Sequence, residues 1–129
     1  MNSLTVIAAV IVAASISACS THSIRSAAPA VVSENILTGS ANGMTLYTFD
    51  KDAAGSGKSV CNGPCAGNWP ALIVADGDVA TAEYSIVMRD DGKKQWAFKG
   101  QPLYYWVKDM KPGDKTGDGF NNVWHVAKP

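Results

Sequence analysis

The sequence has no excess of charge of either sign. It contains 11 Lys and Arg against 11 Asp and Glu, so its formal net charge is zero, and no long block of one sign occurs. Nucleic-acid interfaces and polybasic membrane surfaces need clustered cations, so this composition disfavours both. A P-loop, a dinucleotide-binding fingerprint and a nucleophile–base motif are also missing. We therefore predict neither a nucleic-acid partner nor an enzyme.

Charge is also missing from the N-terminal run Leu4–Ala18, which consists of apolar and small residues. As a helix this run would rise about 22 Å, short of the roughly 20 residues that a membrane span needs. Its length is typical of the hydrophobic region of a secretory signal, and we predict a signal peptide over residues 1–18. The start, Met1-Asn2-Ser3, carries no Lys or Arg. An uncleaved signal anchor is the alternative.

The apolar run ends in Ile16-Ser17-Ala18-Cys19, where small residues precede a nucleophilic thiol. This pattern resembles the lipobox of bacterial lipoproteins, which implies cleavage after Ala18 and a covalent lipid on Cys19. We predict no other cofactor. The lipid would make the membrane a partner and place the protein in the cell envelope. Ser20, rather than Asp, favours the outer membrane over the inner one if the host is Gram-negative. We assign residues 19–34 to the lipidated cysteine and a flexible tether, and 35–129 to one domain.

Cysteine is scarce, and its odd count of three needs an explanation in an exported protein. If Cys19 carries lipid, Cys61 and Cys65 remain to form a disulfide in an oxidising compartment. A redox-active pair is the alternative, because tight loops strain disulfides. Two sulfurs fall short of a closed metal site, although His125, the domain's only histidine, could join them. An extracytoplasmic redox or metal-handling protein is thus the alternative function, and we predict no metal.

One short element occurs twice. Gly43, Leu46, Tyr47, an aromatic residue, Lys51 and Asp52 recur in the same register as Gly100, Leu103, Tyr104, an aromatic residue, Lys108 and Asp109. The aromatic residues are Phe49 and Trp106, and each copy is followed by a later tryptophan, Trp69 or Trp124. We therefore predict two pseudo-symmetric repeats, at about 43–72 and 100–126, each too small to bury a core alone.

Alternation in the repeats predicts strands. Tyr47 and Phe49 should point to one face and Leu46 to the other, and the second copy should do the same. Tyr84–Arg89 and Lys94–Phe98 flank an Asp-Gly turn, which is a strong hairpin signal, and a last strand is expected at 123–126. We predict an all-β fold, a small antiparallel sandwich or open barrel, with one short helical turn near the Cys pair.

The Tyr-x-aromatic-x-x-Asp motifs, the stretch CNGPCAGNWP and the closing NVWHVA together carry a family resemblance. They resemble the bacterial lipoproteins called "secreted repeat of unknown function", over roughly Asn35 to Lys128. The resemblance implies an exported, often lipid-modified repeat module, and it implies no activity, substrate or catalytic residue.

The remaining polar motifs have both a structural and a functional interpretation. Asp52 and Asp109 could act as paired acids, but Asp at a strand end is typically a turn residue that accepts backbone N–H bonds. The segment Asp114–Asn122 resembles part of a calcium loop, although position twelve is His125 rather than Glu, so we expect a Gly/Asp turn. Tyr and Trp should fill the core or line a groove for an envelope protein or a glycan. We therefore predict a non-enzymatic binding or structural module.

Overall fold

The computed structural model describes residues 10–11 and 27–129. Nearly all of the predicted signal peptide, the predicted lipid site Cys19 and the first part of the predicted tether therefore lie outside the described residues. Among the residues that are described, no helix is long and apolar enough to cross a bilayer.

Within residues 27–129 the fold consists of seven short strands, one α-helix and one 3₁₀ turn. In chain order these are β1 (Ala30–Ser33), β2 (Ile36–Gly39), β3 (Tyr47–Phe49), α1 (Pro64–Asn68), β4 (Tyr84–Met88), β5 (Lys94–Phe98), β6 (Gln101–Pro102), the 3₁₀ turn (Phe120–Asn122) and β7 (Trp124–Val126). The strands form antiparallel sheets in the orders β1-β2, β3-β7 and β4-β5-β6. The all-β class and the single helical turn beside the cysteines are thus confirmed.

The β4–β5 hairpin forms where the Asp-Gly signal predicted it. Tyr84 pairs with Phe98 at the open end, and Met88 pairs with Lys94 next to the turn. Gly92 in that turn has a φ of 81°, a value that favours glycine. The Arg89 N–H donates to the Lys93 carbonyl at 2.9 Å and closes the loop.

The structure differs from the sequence-based expectation at the start of the domain. Residues Ala30–Ser33, which we assigned to the tether, form β1 and pair with β2 over the whole length of both strands. The side chain of Ala30 is buried, while Val31 and Val32 are about half exposed. β-branched residues suit a strand that is covered on one face only, so the ordered domain includes these residues.

The second copy of the motif also differs, because Leu103–Trp106 does not form a continuous ladder. Tyr104 makes isolated bridges to Tyr47 and Ala71, and Tyr105 N–H donates to the Pro70 carbonyl at 2.7 Å. Proline has no N–H with which to return that bond. Thr48 is the first-motif counterpart of Tyr105, and its partner is His125, which has an N–H; there β3 and β7 pair continuously.

The core has two clusters, and Leu46 and Tyr47 lie in different ones, as the alternation along the motif predicted. Leu46 and Leu103 are fully buried in one cluster, together with Leu37, Leu72, Trp96 and Phe98. The other cluster contains the aromatic residues of both motifs and the disulfide: Tyr47, Phe49, Cys61, Cys65, Trp69, Tyr104, Trp106 and Trp124. Since successive strand residues point to opposite faces, each motif contributes to both clusters.

The two halves of the chain are interlocked by their backbones. The Leu72 N–H donates to the Leu103 carbonyl at 3.0 Å, the Leu103 N–H to the Trp96 carbonyl at 2.9 Å, and the Trp96 N–H to the Leu72 carbonyl at 2.8 Å. These three bonds close a ring in which Leu72, from the N-terminal half of the domain, lies between two residues of the C-terminal half.

A second ring repeats this arrangement in the other half. The Ala127 N–H donates to Leu46 at 2.8 Å, the Leu46 N–H to Leu37 at 3.0 Å, and the Leu37 N–H to Ala127 at 2.9 Å. Here Ala127, from the C-terminal half of the domain, lies between two residues of the N-terminal half. Each half therefore completes the other, as expected for repeat units that cannot bury a core alone.

Candidate functional site: two tyrosine–aspartate contacts

The tyrosines of the two motifs meet at the centre of the domain. Tyr47 N–H donates to the Tyr104 carbonyl at 2.8 Å, and Tyr104 N–H donates to the Tyr47 carbonyl at 3.0 Å. Both side chains have no exposed surface. The pair thus lies at the boundary between the repeats, where a two-fold relation between them would place it.

Each tyrosine hydroxyl donates to the aspartate of the other repeat. Tyr47 Oη lies 2.6 Å from Asp109 Oδ2, and Tyr104 Oη lies 2.5 Å from Asp52 Oδ2. Both carboxylates are buried, with 5% exposure for Asp52 and 7% for Asp109. The four polar residues of the Tyr-x-aromatic-x-x-Asp motifs therefore form two crossed contacts, named below the Asp52 contact and the Asp109 contact.

The Asp52 contact is the end of a chain of side-chain hydrogen bonds. Arg89 Nη1 donates to Ser59 Oγ at 3.1 Å, and Ser59 Oγ lies 2.6 Å from Tyr104 Oη. Because the tyrosine proton points to Asp52, the serine must donate to the tyrosine oxygen. The second Asp52 oxygen accepts the Val60 N–H at 2.7 Å.

The Asp109 contact is built mainly from backbone and from one threonine. The Gly117 N–H donates to Tyr47 Oη at 3.3 Å. Asp109 Oδ1 accepts both the N–H and the hydroxyl of Thr116, at 3.0 and 2.6 Å. No cation is among the hydrogen-bond partners of this contact within the described residues.

Burial shifts the proton equilibria of both contacts. Burial, and then the hydrogen bond to Asp109, raises the pKa of Tyr47 well above its ordinary value of 10.0. Burial, and then the hydrogen bond to Asp52, raises the pKa of Tyr104 in the same way. Burial also raises the pKa of Asp52, although the bonds from Tyr104 and Val60 and the charge of Arg89 oppose that shift. The phenols therefore keep their protons over a wide pH range.

Arg89 has almost no exposed surface, yet its guanidinium is fully partnered. It donates to Gln95 Oε1 at 2.8 Å and to the Cys61 carbonyl at 2.9 Å, and its Nε lies 3.3 Å from a carboxylate oxygen of Asp91. Gln95, also fully buried, donates to the Leu103 carbonyl at 2.8 Å. Among the described residues, no buried side-chain nitrogen or oxygen is left without a hydrogen-bond partner.

Four aromatic rings form one continuous stack beside the tyrosines, named the ring stack. Trp69 and Trp124 are nearly parallel, with centroids 3.7 Å apart, and Trp106 and Phe49 stack outside them at 4.1 and 4.2 Å. Tyr47 meets the Trp69 ring edge-on, and Tyr104 meets the Trp124 ring edge-on. The stack therefore alternates between the repeats and packs against both tyrosine–aspartate contacts.

The predicted cysteines and histidine do not come together in one site. Cys61 and Cys65 form a disulfide, with Cα atoms 5.2 Å apart. His125 is half exposed, and its Nε2 lies 2.8 Å from Asp50 Oδ2. The described residues contain no group of three or more His, Cys, Asp or Glu side chains that could hold a metal.

The segment Asp114–Asn122 uses its carboxylates as turn acceptors. Asp114 Oδ2 accepts the N–H groups of Met110 and Lys111 at 2.9 and 3.3 Å, and Asp118 Oδ1 accepts the Val126 N–H at 3.1 Å. Asn121 and Asn122 both have a positive φ, at 51° and 58°, a conformation that asparagine tolerates better than most residues. The geometry is that of a closed Gly/Asp/Asn turn.

An apolar recess lies next to the first described residues of the domain. This cleft of about 420 Å³ is lined mainly by apolar side chains, including Pro29, Leu72, Ile73, Trp96 and Tyr105. The side chain of Ile73 is 47% exposed there. The cleft is on the leucine side of the core, away from the ring stack.

Arg89, Ser59 and Gln95 were missed by the sequence analysis. An arginine and a glutamine at either side of a hairpin turn read as ordinary surface residues, because a strand with one exposed face carries such residues. Alternation places Gln95 on the face of β5 opposite Trp96 and Phe98, yet residues 95–98 are all buried, so both faces of this strand are covered. Alternation therefore gave no signal for the buried polar network.

Comparison with known proteins gives one match. A family model described as "secreted repeat of unknown function" matches the chain twice, over residues 39–73 and 85–128. The first match contains Tyr47 and Asp52, and the second contains Tyr104 and Asp109. No curated protein and no solved structure matches the chain. The family resemblance carried by the motifs is therefore confirmed.

Proposed function

Because the chain belongs to the family of secreted repeats of unknown function, and is thus an extracytoplasmic protein, we propose that it is a lipid-anchored, non-enzymatic module of the cell envelope. In this proposal the two repeats form one stable body, held at a membrane through Cys19. The body serves as a structural or binding unit outside the cytoplasm.

The crossed tyrosine–aspartate contacts are the observation that supports a structural role for the motif. The polar atoms of Tyr47, Tyr104, Asp52 and Asp109 are buried and bonded across the repeat boundary. A catalytic acid or base must reach a substrate, whereas these groups reach each other. The motif that defines the repeats therefore supports a role in joining them.

The anchoring part of the proposal depends on the segment before the domain. Ile16-Ser17-Ala18-Cys19 ends the apolar run, and the small and polar residues 20–29 separate Cys19 from β1. A single acyl chain gives only marginal membrane binding, at about 0.8 kcal/mol per buried CH₂, while several chains give a stable anchor. An N-terminal cysteine that carries more than one chain would therefore hold the domain at the membrane.

Detergent phase separation of the expressed protein tests the anchor. The wild type should enter the detergent phase, and Cys19→Ser should either remain in the aqueous phase or keep its unprocessed N-terminus. Mass spectrometry should find acyl chains on a new N-terminal cysteine. An unprocessed Met1 start in the wild type, or equal partition of both proteins, would contradict the proposal. Cys61→Ala/Cys65→Ala is the matched control, because it should still partition with the membrane.

If the domain is a binding unit, we propose that its partner is a protein or a glycan of the envelope. The apolar cleft favours it, because apolar recesses with aromatic walls are common recognition sites. The soluble domain, used as bait in envelope extract, should capture a partner that Ile73→Asp no longer captures. Val107→Asp places a charge on a residue that is equally exposed but outside the cleft. Equal capture by both variants would exclude the cleft.

A further inference from the structure

The ring stack and the two tyrosine–aspartate contacts together form an arrangement suited to one-electron chemistry. Three indole rings lie in face-to-face contact, with centroid separations of 4.1 and 3.7 Å. Indole and phenol are the most easily oxidised aromatic side chains, and stacked indoles can share the positive charge left by the loss of one electron. Each tyrosine touches one ring of this stack, at centroid distances of 5.4 Å for Tyr47–Trp69 and 5.1 Å for Tyr104–Trp124.

Oxidation of a buried tyrosine needs an acceptor for its proton. Loss of an electron alone would leave a cationic phenol in the core, and an unpaired buried charge is costly. Asp109 Oδ2 lies 2.6 Å from Tyr47 Oη, and Asp52 Oδ2 lies 2.5 Å from Tyr104 Oη. A carboxylate at this distance can take the proton as the electron leaves, so the tyrosine becomes a neutral radical.

We propose that the ring stack passes one-electron oxidation to Tyr47 and Tyr104, which end as neutral tyrosyl radicals, their protons held by Asp109 and Asp52. A diffusible one-electron oxidant first removes one electron from an indole and is itself reduced by one electron. The indole radical cation then takes an electron from the tyrosine, while the phenolic proton moves to the carboxylate. The indole is restored, the O–H bond of the tyrosine is broken, and an O–H bond forms on the aspartate.

The geometry also indicates where oxidation begins. Trp106 stacks on one face of Trp69 at one end of the stack, and its ring lies 4.9 Å, centroid to centroid, from Phe120, whose side chain is 40% exposed. Trp106 itself is 6% exposed, whereas both tyrosines have no exposed surface. An oxidant in solution therefore reaches the stack more readily than it reaches the phenols. This inference goes beyond the proposed envelope role and does not depend on it.

Flash photolysis with ruthenium(III) tris-bipyridine as the photogenerated one-electron oxidant tests the proposal on the folded protein. Transient absorption and electron paramagnetic resonance distinguish tryptophanyl from tyrosyl radicals. In the wild type a tryptophanyl signal should be replaced by a tyrosyl signal. In Tyr47→Phe/Tyr104→Phe the tyrosyl signal should be lost and the tryptophanyl signal should persist.

The chain supplies a matched control, since it has four tyrosines and the other two lie outside the stack. Tyr84→Phe/Tyr105→Phe should keep the wild-type tyrosyl signal. A tyrosyl signal that survives in the first double variant, or that disappears in the second, would overturn the proposal. Circular dichroism confirms that each variant is folded. If the first double variant does not fold, each single variant should convert the tryptophanyl signal more slowly than the wild type, because one of the two electron donors is gone, and an unchanged rate in both single variants would overturn the proposal.

A second measurement tests the proton step. Asp52→Asn and Asp109→Asn remove the two proton acceptors and keep the size of the side chains. The combined variant should lose the tyrosyl signal and retain the tryptophanyl signal, and the wild-type conversion should slow in D₂O. Conversion at an unchanged rate in both cases would show that the carboxylates take no part, and would overturn their proposed role.

Discussion

The Asp52 contact and the Asp109 contact use the same two residue types in very different surroundings. Around Asp52, a buried arginine, a serine and the adjacent disulfide loop supply the partners. Around Asp109, a threonine and a backbone N–H supply them. The order of donors is nevertheless the same, because in each contact a donor points at the tyrosine oxygen and the tyrosine points at the carboxylate.

This difference shows which part of the duplicated motif is the same in both copies. The crossed hydrogen bond occurs in both copies, while the groups that support it differ. The Asp52 contact depends on distant side chains, Arg89 and Gln95, whereas the only other described side chain that bonds Asp109, that of Thr116, lies seven residues along the chain. We therefore expect the two contacts to respond differently to substitution.

Replacement of the buried Arg89 should lower the free energy of unfolding more than any other change proposed below. Arg89→Ala removes the donor to Ser59 and Gln95 and leaves those buried acceptors unpartnered, so we expect a loss of about 3–5 kcal/mol in the free energy of unfolding. Urea denaturation measures it. Lys93→Ala, at an exposed position of the same turn, is the control and should change stability by less than about 0.5 kcal/mol. A loss below about 1 kcal/mol would mean that the Asp52 contact does not need the cation.

Removal of single hydroxyls should separate the two contacts directly. After Tyr104→Phe, Asp52 retains only the Val60 N–H, whereas after Tyr47→Phe, Asp109 retains two bonds from Thr116. We expect losses of about 3 kcal/mol for Tyr104→Phe and about 1.5 kcal/mol for Tyr47→Phe. Equal losses in denaturation experiments would show that the side-chain network adds nothing to the first contact.

Reduction of the disulfide should weaken the Asp52 contact and leave the Asp109 contact unchanged. Its loop is short, so reduction should cost about 2 kcal/mol. Because the Cys61 carbonyl accepts from Arg89, reduction should also lower the cost of Tyr104→Phe and leave that of Tyr47→Phe unchanged. Melting temperatures with and without reductant, for both variants, measure this coupling. The variant Cys61→Ala/Cys65→Ala should be insensitive to reductant.

Alkaline pH should have the smallest effect on the free energy of unfolding, and that effect should grow gradually with pH. Both tyrosines have a pKa raised above 10.0 in the folded protein, so above pH 10 the unfolded chain loses protons that the folded protein keeps. Stability should then fall as the pH rises, by at most about 1.4 kcal/mol per pH unit for each tyrosine. Each Tyr→Phe variant should reduce that slope. A slope that is unchanged in both variants would mean that the phenols ionise without unfolding.

Short sequence patterns predicted much of this fold, because neighbouring residues determine the alternation of a strand and the type of a turn. The β4–β5 hairpin, the short helix beside Cys61 and Cys65, and the division of Leu46 and Tyr47 between two faces were all predicted in this way. The duplication was visible because identical residues recur in register. The family match over residues 39–73 and 85–128 agrees with it.

Pairing between distant segments could not be predicted, because nothing local distinguishes an intra-repeat partner from an inter-repeat partner. The aspartates could be recognised as strand-end residues, yet the exchange of tyrosines between them depends on how the repeats pack. Likewise, β1 lies in a segment whose small residues and proline resemble a linker. The position of Cys19 relative to a membrane stays a prediction.

The two backbone rings have a consequence for more than one molecule. Leu72 completes the second half and Ala127 completes the first, while the exposed segment 75–83 connects the halves without forming a strand. Every contact that joins the halves of one chain can also form between the halves of two chains. A change that straightens or shortens segment 75–83 would therefore favour a domain-swapped dimer over the monomer. The interlocking that stabilises one molecule thus also provides a route to its self-association.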